Sequence, residues 1–453
     1  YSAMPKTTRW SRLVALCAVA VLCAQSVSAL DDPAARTLVT RLENGLVVLS
    51  LEDRATPVVS FQMWVKVGSR DETRYTGLAH LFEHMMFKGS KNVPPEEHAR
   101  MVNARGGRTN AWTSNDFTVY FEDVTAESLP LIIDLEYERV ANLEVTAETL
   151  ESEREVVLEE RRMRTEDRPQ GRAYEALFAT TWQALSYRSP VIGWRSDVEQ
   201  ATVEACQEFF DTYYSPNNII LSIVGDFDTD ATLAHISRTF GTLSPAASIP
   251  RSPTVEPPQK GERRARVEFD LRAPILTMAW HAPPTGHDDG EPLDVLGQIL
   301  SGGRSSRLYR SLVYDAELAL GASGGYWEFQ GAGLFVAGAT VRPGKSIEEA
   351  ERLLFAELVA LGEEPVSPEE LEKAKRQLEV ALVGSLATNH ALGARIARDF
   401  ANFGEVRPLE ERLRRIRAVS AEDVQRVASE YLRPEGRTVV EVVAPDSEVQ
   451  AGS

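Results

Sequence analysis

Two histidines and one glutamate in residues 76–90, TGLAHLFEHMMFKGS, have side chains and a spacing that suit metal chemistry. His80 and His84 are four residues apart, so in a helix they share a face and can bind one ion. Two neutral imidazoles suit Zn²⁺, which also needs a third protein ligand and an open position for water. Glu83 follows His80 by three residues, close enough to accept a proton from that water. The spacing therefore predicts a hydrolytic zinc centre on a helix.

The third ligand is expected on a second helix, predicted over residues 146–167. Glu153 and Glu160 are seven residues apart, which places them on one helical face after two turns. Val156 and Val157 lie in the intervening turn and predict that this face is buried. The glutamates expected to face solvent are Glu151, Glu155 and Glu159. Spacing alone does not choose Glu160 over Glu159 as the ligand.

An alternative interpretation is that the motif is two surface histidines on an amphipathic helix, because a five-residue pattern can arise by chance. Against it, the three polar side chains are surrounded by apolar residues, and burying polar groups without a shared task is costly. Those apolar residues are Leu78, Leu81, Phe82, Met85, Met86 and Phe87.

The chain divides into two similar halves, about 37–247 and 263–445. Each half opens with strand-like segments and closes with an amphipathic helix, a proline turn and an apolar strand. The two endings are about 220 residues apart, which indicates a domain duplication rather than a solenoid of short repeats. Strands and helices mix without regular alternation, so the predicted class is α+β.

The predicted organisation has five parts. They are a signal peptide (1–29), an N-terminal zinc-binding domain (30–247), a proline-rich linker (248–262), a homologous C-terminal domain (263–446) and a tail (447–453).

The N-terminus predicts an export signal. Lys6, Arg9 and Arg12 precede an apolar run at 13–24, and Val27 and Ala29 fit the −3 and −1 positions of a signal-peptidase site. The run is shorter than the roughly 20 residues that span a bilayer, so no stable membrane insertion is expected. We expect a periplasmic or otherwise exported protein after cleavage near Ala29; a short membrane anchor is the alternative.

The net charge of −18 comes from 67 acidic and 49 basic residues. Proteins that bind nucleic acid normally carry a basic patch, and no run of lysine or arginine is present here. A nucleic-acid partner is therefore not expected.

The motif and its surroundings resemble the zinc site of the pitrilysin/insulinase family of peptidases, the inverzincins. His80 to His84 reads H-x-x-E-H, and Glu160 follows His84 by 76 positions. Residues 153–164 resemble the family's downstream glutamate helix, and 106–124 resemble its substrate-binding strand. The half-size length resembles the mitochondrial-processing-peptidase-like bacterial branch. The resemblance implies two homologous α/β-roll domains per chain, each a mainly antiparallel sheet with helices packed on it.

The resemblance also implies roles for individual residues in the zinc centre. His80, His84 and Glu160 would bind one Zn²⁺ per chain, Glu83 would be the general base, and Glu153 would support the site.

Three further residues resemble the family's substrate strand. Asn110 and Ala111 would hold the substrate backbone by β-augmentation, and Trp112 would lie beside a side-chain pocket. The alternatives are a turn-forming role for Asn110 and ordinary packing for Trp112.

The C-terminal half departs from the family pattern. Active members carry an Arg and a Tyr after a Gly/Ser-rich turn, and alignment on SSRLY puts Val313 and Leu320 at those positions. Neither side chain donates a hydrogen bond. Arg310 and Tyr314 are close in sequence but out of register, since a helix turns about 100° per residue. We therefore expect a homologous partner subunit that supplies the Arg/Tyr pair, or otherwise a homodimer.

The predicted function is a zinc-dependent endopeptidase that hydrolyses extended peptides in a closed chamber, as the zinc-bearing subunit of a heterodimer. The alternative is a non-catalytic scaffold or chaperone-like subunit of a larger complex. A zinc hydrolase of non-peptide substrates is a third class, which the sequence supports only through the general chemistry of zinc-activated water.

Overall fold

The computed structural model describes residues 32–445 of the 453-residue chain. The signal peptide predicted at 1–29 and the tail predicted at 447–453 lie outside the described residues. Within 32–445, no helix combines the length and the apolar character needed to cross a membrane. Two β-sheets with helices packed on them confirm the predicted α+β class.

The strands fall into two groups along the chain, one for each sheet. They are β1 (Leu38–Arg41), β2 (Val47–Glu52), β3 (Val58–Val65), β4 (Arg108–Thr113), β5 (Thr118–Thr125), β6 (Ile219–Gly225), β7 (Arg263–Glu268), β8 (Ile275–Ala282), β9 (Ala319–Trp327), β10 (Gly333–Val341) and β11 (Arg437–Val443).

Sheet 1 has the strand order β1-β2-β6-β3-β5-β4, and sheet 2 has the order β7-β11-β8-β10-β9. In each sheet one pair is parallel, β2 with β6 and β7 with β11, and the other pairs are antiparallel. If β1 is left out, the order β2-β6-β3-β5-β4 matches the order β7-β11-β8-β10-β9 position by position. The second half therefore repeats the first, and the edge strand β4 corresponds to the edge strand β9.

Helices cover both sheets. They are α1 (Pro33–Arg36), α2 (Leu78–Met85), α3 (Glu97–Asn103), α4 (Leu129–Ala141), α5 (Ala147–Arg161), α6 (Pro169–Thr181), α7 (Arg195–Gln200), α8 (Val203–Tyr213), α9 (Thr229–Arg238), α10 (Gly290–Ser301), α11 (Ile347–Glu363), α12 (Pro368–Gly384), α13 (Asn389–Phe403), α14 (Leu409–Ala418) and α15 (Ala421–Tyr431). In the described part of the chain, π-helical turns occupy Arg162–Glu166 and Tyr309–Asp315.

Each half contributes one helix to the sheet of the other half. α6 belongs to the first half in sequence, but its Leu177 packs with Val440 of sheet 2. α13 belongs to the second half, and its Ile396 packs with Val224 of sheet 1. Because both faces of sheet 1 are covered, β2 and β6 are buried along almost their whole length rather than at alternate residues. The boundary predicted at residue 247 separates the strands of the two sheets but not these two helices.

Residues 248–262 contain no helix or strand, yet side chains anchor them to the first half. Arg251 Nη1 donates a hydrogen bond to Asp71 Oδ1 at 2.8 Å. The Glu256 carboxylate accepts three consecutive backbone N–H groups at 2.7–2.9 Å, beginning at Gln183. Gln259 Nε2 also donates a hydrogen bond to Arg437 O of the second half at 2.8 Å, so this linker is held in place by contacts with both halves.

Candidate metal centre

Helix α2 presents three polar side chains opposite its core-facing side. Its start is fixed by Glu72, whose carboxylate accepts two backbone N–H groups of the first turn at 2.8 Å each. Phe82 is buried in the core of the first half. His80, Glu83 and His84 line a cleft instead. The spacing of four residues therefore brings both histidines to one face, as a helix requires.

Helix α5 brings glutamates to the same place. It begins after Thr146, whose Oγ1 accepts a backbone N–H three residues further on at 3.1 Å. Glu153 and Val157 are buried, and Glu160 reaches the cleft. Val156, predicted to turn inward with Val157, is 46% exposed. That prediction was wrong because one residue along a helix rotates the side chain by about 100°.

His80, His84 and Glu160 converge at the junction of the two helices. Glu160 Oε2 lies 3.2 Å from His84 Nε2 and 3.8 Å from His80 Nε2. The three candidate ligand atoms all lie within 4.8 Å of one another. Ligands at about 2.0–2.1 Å around a tetrahedral Zn²⁺ are separated by about 3.3 Å. The donor set and its spacing therefore fit zinc, with one coordination position left for water.

Glu153 lies behind this set of three. Its Oε2 is 3.4 Å from His84 Nδ1, and its Oε1 is 3.0 Å from Lys88 Nζ. A carboxylate beside Nδ1 holds the proton on that nitrogen and leaves Nε2 free to bind an ion. Glu153 does not line the cleft, and it contacts the ring nitrogen of His84 that does not face Glu160.

The two imidazoles have opposite pKa shifts. Burial, with His84 nearby, lowers the pKa of His80 to about 4, so this imidazole is neutral at pH 7. Burial disfavours a charged His84 as well, but hydrogen bonds to Glu153 and Glu160 outweigh it and raise the pKa of His84 to about 9. A metal ion held here must displace the proton on His84, so metal binding is coupled to proton release.

Glu83 lies in the same cleft with its carboxylate held from the neighbouring strand. Thr113 Oγ1 donates a hydrogen bond to Glu83 Oε2 at 2.7 Å. Burial raises the pKa of Glu83, and the hydrogen bond from Thr113 opposes the rise. A carboxylate with a raised pKa, held in a fixed position, is suited to accept a proton from a water molecule.

The edge strand β4 forms one wall of the cleft. It pairs with β5 on one side, which leaves backbone groups on its other edge for an added strand. Asn110, Ala111 and Trp112 all line the cleft, whose empty volume is about 1300 Å³ including the part open to solvent. The Trp112 ring also packs edge-on against Trp64, with 5.3 Å between ring centroids. Trp112 thus contacts both the cleft and the protein interior.

The two C-terminal positions lie away from this cleft. Val313 is buried within the π-helical turn Tyr309–Asp315, and Leu320 is 57% exposed on β9. Their side chains are apolar, so neither offers a hydrogen-bond donor from this half of the chain.

Three residues of the centre were not predicted from the sequence: Lys88, Thr113 and Arg164. Arg164 Nη1 lies 2.7 Å from Glu160 Oε1. Lys88 follows His84 by four residues and Arg164 follows Glu160 by four, so helical spacing was a usable signal for both. Thr113 had no such signal, because it reaches Glu83 across 30 residues of chain.

A second cluster of histidine and glutamate lies in the core, but an arginine balances its charge. His98 Nε2 is 3.2 Å from Glu122 Oε1, and Arg139 Nε donates to Glu136 Oε2 at 3.0 Å. Burial raises the pKa of Glu136 to about 8, more than Arg139 lowers it, and Glu122 beside it adds to the rise. Burial lowers the pKa of His98 to about 3. With Glu136 protonated, Arg139 balances the charge of Glu122, whose Oε1 lies 3.5 Å from Arg139 Nη2, so this cluster has no need of a metal ion.

The proton on Glu136 predicts a pH-dependent stability. A group whose pKa is raised on folding stabilises the protein below its unfolded pKa and loses that contribution as pH rises through the folded value. Relative to Glu136→Gln, the wild type should therefore lose free energy of unfolding between about pH 4.5 and about 8, then level off. Urea unfolding of both proteins across this range measures it. A constant difference would show that Glu136 is ionised in the folded protein.

Family models match both halves of the chain. Residues 47–194 match the model described as insulinase (peptidase family M16), and 200–378 match the model described as the peptidase M16 inactive domain.

Among curated proteins, the zinc protease PqqE of Helicobacter pylori is 30% identical over 404 residues, covering 88% of this chain and 91% of its own. An uncharacterized zinc protease of Mycobacterium tuberculosis is 30% identical over 411 residues, covering 88% and 92%.

Solved structures share the fold. The crystal structure of a protease from Helicobacter pylori superposes with a TM-score of 0.86 at 29% identity, over 90% of this chain and 99% of that one. A peptidase M16 inactive domain from Pseudomonas fluorescens has a TM-score of 0.81 at 19% identity, over 91% and 98%. The two domains and the resemblance seen in the sequence are thereby confirmed. Since relatives named as zinc proteases match nearly the whole described chain, the protein belongs to the insulinase family of peptidases, M16.

Proposed function

We propose that this chain is a zinc-dependent endopeptidase that hydrolyses extended peptides, and that it is the zinc-bearing subunit of a heterodimer. The observation that carries the proposal is the convergence of His80, His84 and Glu160, with Glu83 in the same cleft. Cleavage of an unstructured peptide by the purified protein with one zinc per chain tests it. Failure to cleave any of a diverse set of such peptides, both alone and after addition of a homologous subunit that carries the Arg/Tyr pair, would contradict it.

The peptide is held by backbone pairing with β4, next to Asn110 and Ala111, so that specificity rests on the side chains that face the cleft. When bound by His80, His84 and Glu160, zinc would lower the pKa of a water molecule to about 7.

Glu83 accepts a proton from the attacking water. The water oxygen forms a bond to the scissile carbonyl carbon, and the electron pair of the C=O double bond moves to the carbonyl oxygen. The electron pair on the carbonyl oxygen then re-forms the C=O bond, the C–N bond breaks with its electron pair going to nitrogen, and Glu83 passes its proton to that nitrogen. The hydrogen bond from Thr113 keeps the carboxylate directed for both transfers.

Replacing Thr113 by Val should lower kcat about tenfold and leave KM unchanged, because the variant loses a hydrogen bond to a charged group but keeps its shape. Thr113→Ser should restore the rate, since it keeps the hydroxyl. Steady-state kinetics on one peptide with the zinc-loaded variants measure both constants. A rise in KM alone would instead assign Thr113 to substrate binding through β4.

The heterodimer part of the proposal rests on the second half. Val313 and Leu320 are apolar where the family resemblance places an Arg and a Tyr. Donors to the developing oxyanion contribute a factor of about 10²–10³ each to the rate. A homologous subunit that carries the pair should therefore increase cleavage by at least about a hundredfold when mixed with this chain.

Activity of the chain alone, compared with activity after adding such a homologous subunit, tests the division of labour. A chain that cleaves peptides alone at a rate that the second subunit does not increase would rule out the heterodimer and favour a homodimer.

A second candidate is a non-catalytic scaffold or chaperone-like subunit. Val313 and Leu320 favour it, whereas the arrangement of Glu83 beside the three candidate ligands favours hydrolysis. Glu83→Gln distinguishes the two, because a scaffold does not need a general base.

We also propose export to the periplasm or the cell exterior, based on Lys6, Arg9, Arg12 and the apolar run at 13–24. Intact-mass analysis of exported protein should show an N-terminus near Leu30. Retention of residues 1–29 on membrane-bound protein would instead indicate an anchor.

A further inference from the structure

The turn that follows the Glu160 ligand is π-helical. Helix α5 ends at Arg161, and Arg162–Glu166 continue it with a wider turn in which Asp167 N donates to Arg162 O at 2.8 Å. Such single π turns are frequent at functional sites. The turn carries Arg164 on the side of the cleft.

Close packing against a glycine fixes this turn. A Cβ atom on Gly171, at the start of α6, would lie 2.2 Å from Arg164 O and 2.6 Å from Thr165 Cα. Only glycine allows this approach, so α6 supports the turn directly beneath Arg164. The position of Arg164 is therefore set by backbone packing and not by its side chain.

Arg164 differs from the two arginines before it. Arg161 is buried and donates to Gly193 O at 2.7 Å and to Glu175, and Arg162 is ion-paired with Glu159 and Asp167. Arg164 has a 75% exposed side chain, and within residues 32–445 its one ion pair is with Glu160. The rest of its guanidinium is free to bind a ligand.

The chemistry of the cleft determines what that ligand is. Apart from the two histidines, Arg164 is the one basic side chain among the described residues that line the cleft. The other charged lining residues are acidic, and one segment of the wall is apolar. The acidic residues are Glu83, Glu160 and Glu175, and the apolar ones are Pro190, Val191 and Ile192. A planar guanidinium with free N–H groups matches a carboxylate in geometry and charge.

We propose that Arg164 is a specificity-determining residue that binds a carboxylate of the peptide close to the scissile bond, while the apolar wall takes a neighbouring apolar side chain. This inference rests on the proposed peptidase function. The carboxylate belongs either to an Asp or Glu side chain of the peptide or to its C-terminus.

Peptide binding to zinc-loaded Glu83→Gln protein tests the inference without cleavage. One fluorescent peptide series carries Glu or the uncharged Gln at each position around the scissile bond, and a second carries a free or an amidated C-terminus. A carboxylate at the matching position should tighten binding about tenfold, as one charged hydrogen bond does. The Glu/Gln arm identifies a side chain, and the free/amidated arm identifies the C-terminus.

Adding Arg164→Gln should abolish the preference for the charged peptide and leave binding of its uncharged counterpart within about twofold. Arg162→Gln is the matched control on the same turn and should keep the preference. The preference should also weaken as salt is raised, because the group is exposed.

Three outcomes would overturn the inference. They are no preference for a carboxylate in either series, no binding of any peptide, or an equal loss of affinity for the charged and the uncharged peptide in Arg164→Gln. If the last result came with a reduced zinc content, Arg164 would serve only to position Glu160. If wild-type protein fails to cleave peptides with and without a homologous subunit that carries the Arg/Tyr pair, but the binding preference is present, the peptidase proposal fails while the carboxylate binding by Arg164 is supported.

Discussion

Zinc-loaded Glu83→Gln protein should cleave peptides about 10²–10⁴ times more slowly than the wild type, the usual contribution of a general base. Gln has the shape of Glu, and its carbonyl oxygen can still accept the hydrogen bond from Thr113. It cannot accept a proton from water. The loss should therefore fall on kcat, with zinc content and thermal unfolding unchanged.

The measurement is single-turnover cleavage of a quenched fluorescent peptide, with zinc determined by elemental analysis of the same samples. Glu155→Gln is the matched control, because Glu155 is an exposed glutamate of α5 that faces away from the site. Retention of more than about a tenth of the rate in Glu83→Gln would mean that another group accepts the proton.

The class of the fold and its duplication were predictable, because both depend on local patterns that recur along the chain. The exchange of α6 and α13 between the halves was not. An amphipathic helix shows that one face is buried but not which sheet covers it, and Leu177 meets Val440 across more than half of the sequence. The boundary predicted at residue 247 therefore does not reflect this exchange.

The candidate site was likewise predictable only in part. His80 and His84 are on one helix, and spacing alone predicts that they share a face. Spacing did not choose between Glu159 and Glu160, and only the family resemblance favoured Glu160. In the structure Glu160 faces both histidines, while Glu159 pairs with Arg162 in solvent. Spacing along α5 fixed the face only to within one residue, as the exposed Val156 also shows.

The π-helical turn at Arg162–Glu166 illustrates a further limit. It depends on the contact of Gly171 with the backbone of Arg164, and no local propensity in the sequence reports such a contact. The hydrogen bond between Thr113 and Glu83 also joins residues far apart in the sequence, so no local pattern predicts it. Residues that position a centre are thus harder to predict than the ligands, whose types and spacing are constrained by the ion.

Glu160→Gln and His84→Ala should each abolish stable zinc binding. The first replaces a charged ligand by a weak neutral one, and the second leaves only His80 and Glu160 to hold the ion. Glu153→Gln should be milder and cost about 10–100-fold in zinc affinity, as is typical for a group that orients a ligand. Glu159→Gln, one residue from the ligand but exposed, is the control and should bind zinc as the wild type does.

Competition with a chelator of known zinc affinity ranks the wild type and the four variants, and thermal unfolding with and without zinc provides an independent measurement. At zinc concentrations about 100 times Kd, binding stabilises the folded state by about 2.7 kcal/mol, so the wild type and Glu159→Gln should gain stability. Glu160→Gln and His84→Ala should gain almost none. If Glu159→Gln lost zinc and Glu160→Gln kept it, the ligand would be the neighbouring glutamate and α5 would have to be rotated by about 100° in the zinc-bound protein. Because Glu160 also pairs with Arg164, that result would remove the ion pair on which the proposed carboxylate specificity depends.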